Sequence, residues 1–237
     1  CCRLEHLLLP YLAGSISWEP FITAMESNTL EELDLTGNHL VGIPFSNPGN
    51  VFAKLRKLSL SRCENLTEAM LAWFLDVSPV LEELTLIELP KTFKRLSIIK
   101  LPLAKLDFPH APGLEEIVIR CPNLKSGIAV QSACMLRSVT LDIPNLTQLE
   151  LRSCGEITDS MMNDIQAQIP QCKVMYLSFC SKLQHLNLTA PALQVFWIHQ
   201  CANLETICGK LPSPQKISIQ LCAKLTDLRG LTFDSLG

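Results

Sequence analysis

The chain has 237 residues, 48% hydrophobic and 18% charged, with a formal net charge of −3. That composition builds a packed core and excludes a disordered chain, while the charge balance excludes a global basic field for nucleic acid or acidic membranes. No uninterrupted apolar stretch approaches the ~18 residues that a bilayer span needs.

Taken in chain order, the predicted elements follow one grammar. Segments fitting L-x-x-L-x-L, with apolar substitution, are LEHLLL from Leu4, LEELDL from Leu30, LRKLSL from Leu55, LEELTL from Leu81 and LAKLDF from Leu103. They continue as LTQLEL from Leu146, CKVMYL from Cys172, LQVFWI from Leu193 and PQKISI from Pro214. A degraded copy from Leu124, LKSGIAV, keeps the phase and puts Gly127 where an aliphatic residue is expected. Successive starts are 26, 25, 26, 22, 21, 22, 26, 21 and 21 residues apart, which are leucine-rich-repeat periods. One such turn cannot bury its own apolar face, so each strand must lie beside its predecessor in a solenoid.

The longer turns have room for a helix opposite the strand. LTEAMLAWFLDVSP offers Thr67 as N-cap, apolar Met70, Leu71, Phe74 and Leu75 at helical spacing, and Pro79 as the stop. ITDSMMNDIQAQIP repeats the pattern with Thr158 and Pro170, and SISWEPFITAMES, Ser15 to Ser27, is a third candidate. Asp159 and Asp164 read as dipole-compensating or solvent-facing charges on the second of these helices. The shorter turns carry a second strand-like run instead: FKRLSI from Phe93, LEEIVI from Leu114, LRSVTL from Leu136, LQHLNL from Leu183 and LETI from Leu204. The expected fold class is therefore α/β: a leucine-rich-repeat solenoid of about ten turns with a parallel concave sheet, helices behind the longer turns and strands behind the shorter ones. Residues 1–237 form a single repeat domain, and because the chain opens inside a repeat, it is expected to be a piece of a longer one.

The 11 cysteines show no C-x-x-C pair or zinc-finger spacing. Cys63, Cys154, Cys180, Cys201 and Cys222 each follow the last apolar residue of a strand by three positions, where LDLTGNHL has Asn38. They read as buried, unpaired packing residues in a reducing compartment, cytoplasmic or nuclear. NLT occurs at Asn65, Asn145 and Asn187, a product of the repeat grammar rather than a glycosylation signal. Lys91, Lys94, Arg95 and Lys100 read as a solvated face.

LRKLSLSRCENLTEAML, LTQLELRSCGEITDSMMNDI and LQVFWIHQCANLETI resemble the cysteine-containing subclass of leucine-rich repeats known from F-box/leucine-rich-repeat proteins. The alternation of C-x-N-L and A-P-x-L turns is similar to the long plant type. The resemblance implies a solenoid that captures a protein substrate and a separate F-box that docks on a cullin ubiquitin ligase. No F-box helix bundle is found in these residues, so contact with the ligase adaptor would fall to a region outside this chain.

No Gly-rich phosphate loop, H-E-x-x-H or G-x-S-x-G occurs. His199 and Cys201 are close in sequence, yet one should point out of the strand and the other into the core, so they make no catalytic pair. The expectation is a non-enzymatic module with no cofactor and no metal, no nucleic acid and no membrane among its partners. It recognises a protein partner or, alternatively, braces a large assembly as a structural scaffold.

The fifth position of each L-x-x-L-x-L strand should face solvent on the concave sheet. That column reads Asp34, Ser59, Thr85, Asp107, Glu150, Tyr176, Trp197 and Ser218. Two successive aromatics break a polar run, and as neighbours in register their rings should lie side by side. The candidate partner-binding residues are Tyr176 and Trp197, with Glu150, Arg152, His199, Lys216 and Gln220 as a polar rim.

Overall fold

A computed structural model describes residues 4–12, 15–17, 29–41, 51–99, 101–212 and 214–233. Each turn contributes one front strand. The first five, β1 (His6–Leu8), β3 (Glu32–Asp34), β5 (Lys57–Ser59), β6 (Glu83–Thr85) and β8 (Lys105–Asp107), pair in parallel in that order. The next five, β10 (Ile128–Gln131), β12 (Gln148–Arg152), β13 (Val174–Ser178), β15 (Val195–His199) and β17 (Lys216–Gln220), form a second parallel sheet. The register aligns repeat with repeat: Leu33, Leu58, Leu84 and Leu106 face one another across the first sheet, and Leu149, Met175, Phe196 and Ile217 across the second.

Behind them runs a back layer of β2 (Ser15–Ser17) with β4 (His39–Val41), β7 (Arg95–Ile99) with β9 (Glu116–Arg120) and β11 (Ser138–Leu141), and β14 (His185–Leu188) with β16 (Thr206–Leu211) and β18 (Leu231–Phe233). Two turns replace the back strand with a helix, α1 (Glu68–Asp76) and α2 (Asp159–Gln168). Thr67 and Thr158 cap them, their hydroxyls accepting from the N–H groups of Met70 and Met161. Polar side chains then knit each helix to neighbouring turns. Glu68 Oε1 accepts from the Lys94 N–H at 2.6 Å, and Asp159 Oδ1 from the Gln184 N–H at 2.8 Å, so Asp159 does more than balance the helix dipole. Buried Gln166 donates to the Asn187 carbonyl at 2.9 Å and accepts from the Thr189 N–H at 3.0 Å.

Among the described residues these two helices are the whole of the helical content, so helix is a local substitute within a parallel β-solenoid and the α/β label overstates it. Of the third helix candidate, Ser15–Ser17 is strand β2, and residues 18–27 lie outside the described residues.

The core is one continuous cluster of the repeat aliphatics between front and back layers. The cysteine column closes it along one edge. Cys63 Sγ lies 3.3 Å from the Leu35 carbonyl, Cys154 Sγ 3.7 Å from that of Val130, and Cys180 Sγ 3.9 Å from that of Leu151. Each thiol thus meets a carbonyl of the preceding turn. Asn38 does so more strongly, with Nδ2 donating to the Leu9 and Leu35 carbonyls at 2.6 and 2.8 Å and Oδ1 accepting from the Leu12 N–H at 3.1 Å. Two of the NLT asparagines are likewise structural: Asn65 pairs through its amide with the backbone of Leu40, and Asn145 donates to the Pro122 carbonyl.

The residue before this column turns the chain, and it is left-handed almost throughout: Gly37, Arg62, Glu88, Ser132, Ser153, Phe179, Gln200 and Leu221 all have φ between 52° and 72°. The turn lets its N–H continue the ladder onto the next turn, as from Arg62 to the Ile87 carbonyl and from Phe179 to that of His199.

The front is interrupted between β8 and β10, where a single bridge, His110 to Gln131, joins the two sheets. Pro109 has no N–H to give at that step. Gly127 does not occupy the aliphatic position as the phase from Leu124 requires: Ile128 pairs with Leu149 and Val130 with Leu151, so this copy contains one extra residue.

Candidate protein-docking site

The two halves of the front face carry different chemistry. At the first exposed position the strands read His6, Glu32, Lys57, Glu83 and Lys105, and then Gln148, Val174, Val195 and Lys216. In the first half the alternating charges satisfy one another: His6 meets Glu32 at 2.9 Å and Lys57 meets Glu83 at 3.2 Å. In the second half this ion ladder gives way to two half-buried valines beneath the aromatic column.

Tyr176 and Trp197 face each other across β13 and β15, with ring centroids 5.5 Å apart and planes at 65°, an edge-to-face pair. Trp197 remains 38% exposed. Lys216 Nζ lies 4.4 Å from the Trp197 ring centroid, a cation held on the face of the indole. Two residues further along the strands, on the same face, the register brings Gln131, Arg152, Ser178, His199 and Gln220 into a second column. The rings and this column line an open cleft of about 350 Å³.

The expected rim is only partly a rim. Arg152, His199, Gln220 and Ser218 line the cleft, and Lys216 flanks it on the far side of Trp197. Glu150 does not stand there: it is 8% exposed, its carboxylate accepting from Gln131 Nε2 at 3.0 Å and forming an ion pair with Arg152, whose Nε lies 2.5 Å away. A carboxyl group sunk among strands needs such partners, and Glu150 acts on the cleft by orienting the Arg152 guanidinium.

Phe179 is the residue that the alternating pattern misses. It follows the last residue of β13 in the left-handed turn position, 49% exposed, its ring 5.9 Å from that of His199 at 80°. The signal lay in the turn column, which is polar or glycine at Gly37, Arg62, Ser153 and Gln200 but apolar at Phe179 and Leu221.

No acid–base pair forms from His199 and Cys201. The Cys201 thiol is buried against the His199 backbone carbonyl at 3.8 Å, while the imidazole meets the Phe179 ring edge to face. Burial holds the thiols of Cys63, Cys121 and Cys172 up at about 11 and that of Cys154 at about 12, too high to act as nucleophiles near neutrality. Among the described residues no group of His, Cys, Asp or Glu is arranged to hold a metal ion, and no helix is long and apolar enough to cross a membrane. In the basic cluster Lys94 pairs with Glu115 and Arg95 with Glu116.

A parallel solenoid with a fixed aliphatic grammar and a ladder of Asn and Cys at one turn position is a leucine-rich-repeat protein. The family profile described as FBD-associated F-box protein At5g56370, LRR repeats, matches residues 3–140, more than half of the chain. The chain belongs to that leucine-rich-repeat family of plant F-box-associated proteins. A search of curated proteins finds no match. The cleft's rings and Arg152 lie C-terminal to the matched segment, while Gln131 and Ser132 of its lining fall within it.

Proposed function

We propose that the chain is a non-catalytic protein-recognition module, the substrate-recognising repeat region of a cullin-type ubiquitin ligase, and that it captures its partner through the front-face cleft around Tyr176 and Trp197. The reading takes Arg152, His199, Lys216 and Gln220 as the polar surround of the two rings, with Phe179 added and Glu150 as the orienting group behind. The observation that carries it is the change along one sheet face from self-paired ions to a pair of partly exposed aromatic rings. Exposed adjacent rings beside cations have the composition of an interface hot spot, whereas the ion ladder offers a partner little. The family supports the ligase assignment, with the adaptor bound by a region outside these residues. The reading includes a reducing compartment, cytoplasm or nucleus, in keeping with buried thiols that donate to backbone carbonyls.

The test is affinity capture of the full-length protein from plant tissue under native conditions. A cullin adaptor should co-purify, together with a second protein that accumulates when the proteasome is blocked. Recovery in a fixed, stoichiometric assembly without any adaptor would replace this reading with that of a structural scaffold.

A further inference from the structure

The cleft presents one sign of charge to solvent. Its lining contains the Arg152 guanidinium and the His199 imidazole and no carboxylate, because Glu150 lies below, held by Gln131 and Arg152. Arg152 meets Glu150 through Nε, and its side chain is 53% exposed, which leaves part of an already paired guanidinium open to solvent. Such a planar donor fork, anchored on one side, matches a carboxylate on the other. Lys216, on the indole of Trp197, adds a second cation at the edge of the same surface.

The apolar half of the cleft is displaced from Arg152 by a fixed step. Arg152, Ser178 and His199 occupy the same register position on β12, β13 and β15. Two strand spacings of about 4.8 Å put the Arg152 strand roughly 10 Å from the Trp197–His199 strand. The Trp197, Phe179 and His199 rings flank the space there, which suits one leucine-sized or aromatic side chain. A segment lying across the strands in polyproline II conformation points every third side chain the same way and advances about 3.1 Å per residue, so such residues recur at about 9 Å. The two spacings agree.

Resting on the docking reading above, we infer that the occupant is an extended peptide segment with an apolar or aromatic residue three positions from an Asp or Glu. The ring-lined end of the cleft takes the apolar side chain and Arg152 takes the carboxylate. A basic segment would meet Arg152 and Lys216 with like charge.

The experiment pans a phage-displayed library of random nine-residue peptides against the full chain and then measures the enriched peptide by fluorescence polarisation. The enriched set should share an acidic residue three positions from an apolar or aromatic one. Replacing that Asp by Asn in the peptide should weaken binding to the wild-type protein at least about tenfold, as expected for a hydrogen bond between charged groups. The same change should matter little against Arg152→Gln, which removes the cation, and Arg152→Lys should recover part of the loss. Using the peptide change keeps the test intact if Arg152→Gln fails to fold. Enrichment of basic peptides, enrichment of none, or an Asp→Asn peptide that binds as tightly as its parent would overturn the inference. Loss of binding on Trp197→Ala with no effect of Asp→Asn sinks the carboxylate assignment alone. Full binding to Trp197→Ala sinks the docking site itself.

Discussion

Phe179 separates the backbone's needs from the partner's. It sits at φ 55°, where an L-residue pays for its Cβ and glycine does not. At an ordinary strand position glycine is less stable than alanine by about 0.5–1 kcal/mol. The left-handed conformation costs a Cβ about 1–2 kcal/mol, so at residue 179 the order should invert, with glycine ahead of alanine by about 0.5–1 kcal/mol. The ring is 49% exposed and touches His199 edge-on, so its removal should cost about 1 kcal/mol of folding free energy, roughly half of a full burial. Phe179→Ala should therefore lose about 1 kcal/mol, and Phe179→Gly should lie close to wild type. Urea denaturation of the two variants gives the comparison, provided the slopes are equal. Val174→Ala and Val174→Gly on β13 serve as the control pair, with alanine the more stable. Alanine equal to or above glycine at 179 would refute the left-handed turn, and a loss above about 3 kcal/mol in both variants would make the ring a core residue, on the scale of buried Phe→Ala changes.

Two further predictions concern the core edge. Asn38→Ala strands the Leu9 and Leu35 carbonyls and the Leu12 N–H and should cost about 2–4 kcal/mol by thermal or urea denaturation, with Asn38→Cys losing less because the neighbouring turns use that thiol. The buried thiols make stability fall at alkaline pH. Those of Cys63, Cys121 and Cys172 are raised from 9.0 to about 11 and that of Cys154 to about 12, so the protonated form is favoured in the folded state. Their contribution is fully present below pH 9 and is lost as pH rises through 11 to 12, because the unfolded chain then releases protons that the folded chain keeps. Native alkylation at pH 8 followed by mass spectrometry should label exposed Cys134 well before Cys63 or Cys154, and equal labelling would contradict the packing role.

The repeat was legible because its physics is local and periodic. Leu33, Leu58 and Leu84 recur at positions that only a stacked strand can bury, and Thr67 and Thr158 announce their helices by cap chemistry. The extra residue at Gly127 was not legible, since one glycine in a degraded copy satisfies the spacing of Leu124 as well as an aliphatic would. Within the candidate site, the adjacency of Tyr176 and Trp197 followed from equal register in consecutive turns. The burial of Glu150 did not, because it depends on Gln131 reaching over from the neighbouring strand as well as on Arg152 of its own, and the alternation of a single strand is silent about depth. Phe179 escaped because it lies beyond the strand, in a turn column whose polar character becomes visible only when all turns are aligned.

The central claim is that the paired rings on the front face hold a protein partner rather than the fold. It is tested most directly by Tyr176→Ala/Trp197→Ala in the full-length protein, with quantitative affinity capture and the thermal midpoint measured on the same preparations. Partner capture should weaken by at least about 30-fold, the ~2 kcal/mol scale of a hot spot, while the midpoint moves little, since an edge-to-face cross-strand pair contributes only a few tenths to ~1 kcal/mol. Capture that is unchanged in the folded protein, or a collapse of the midpoint with capture intact in what remains folded, would contradict it.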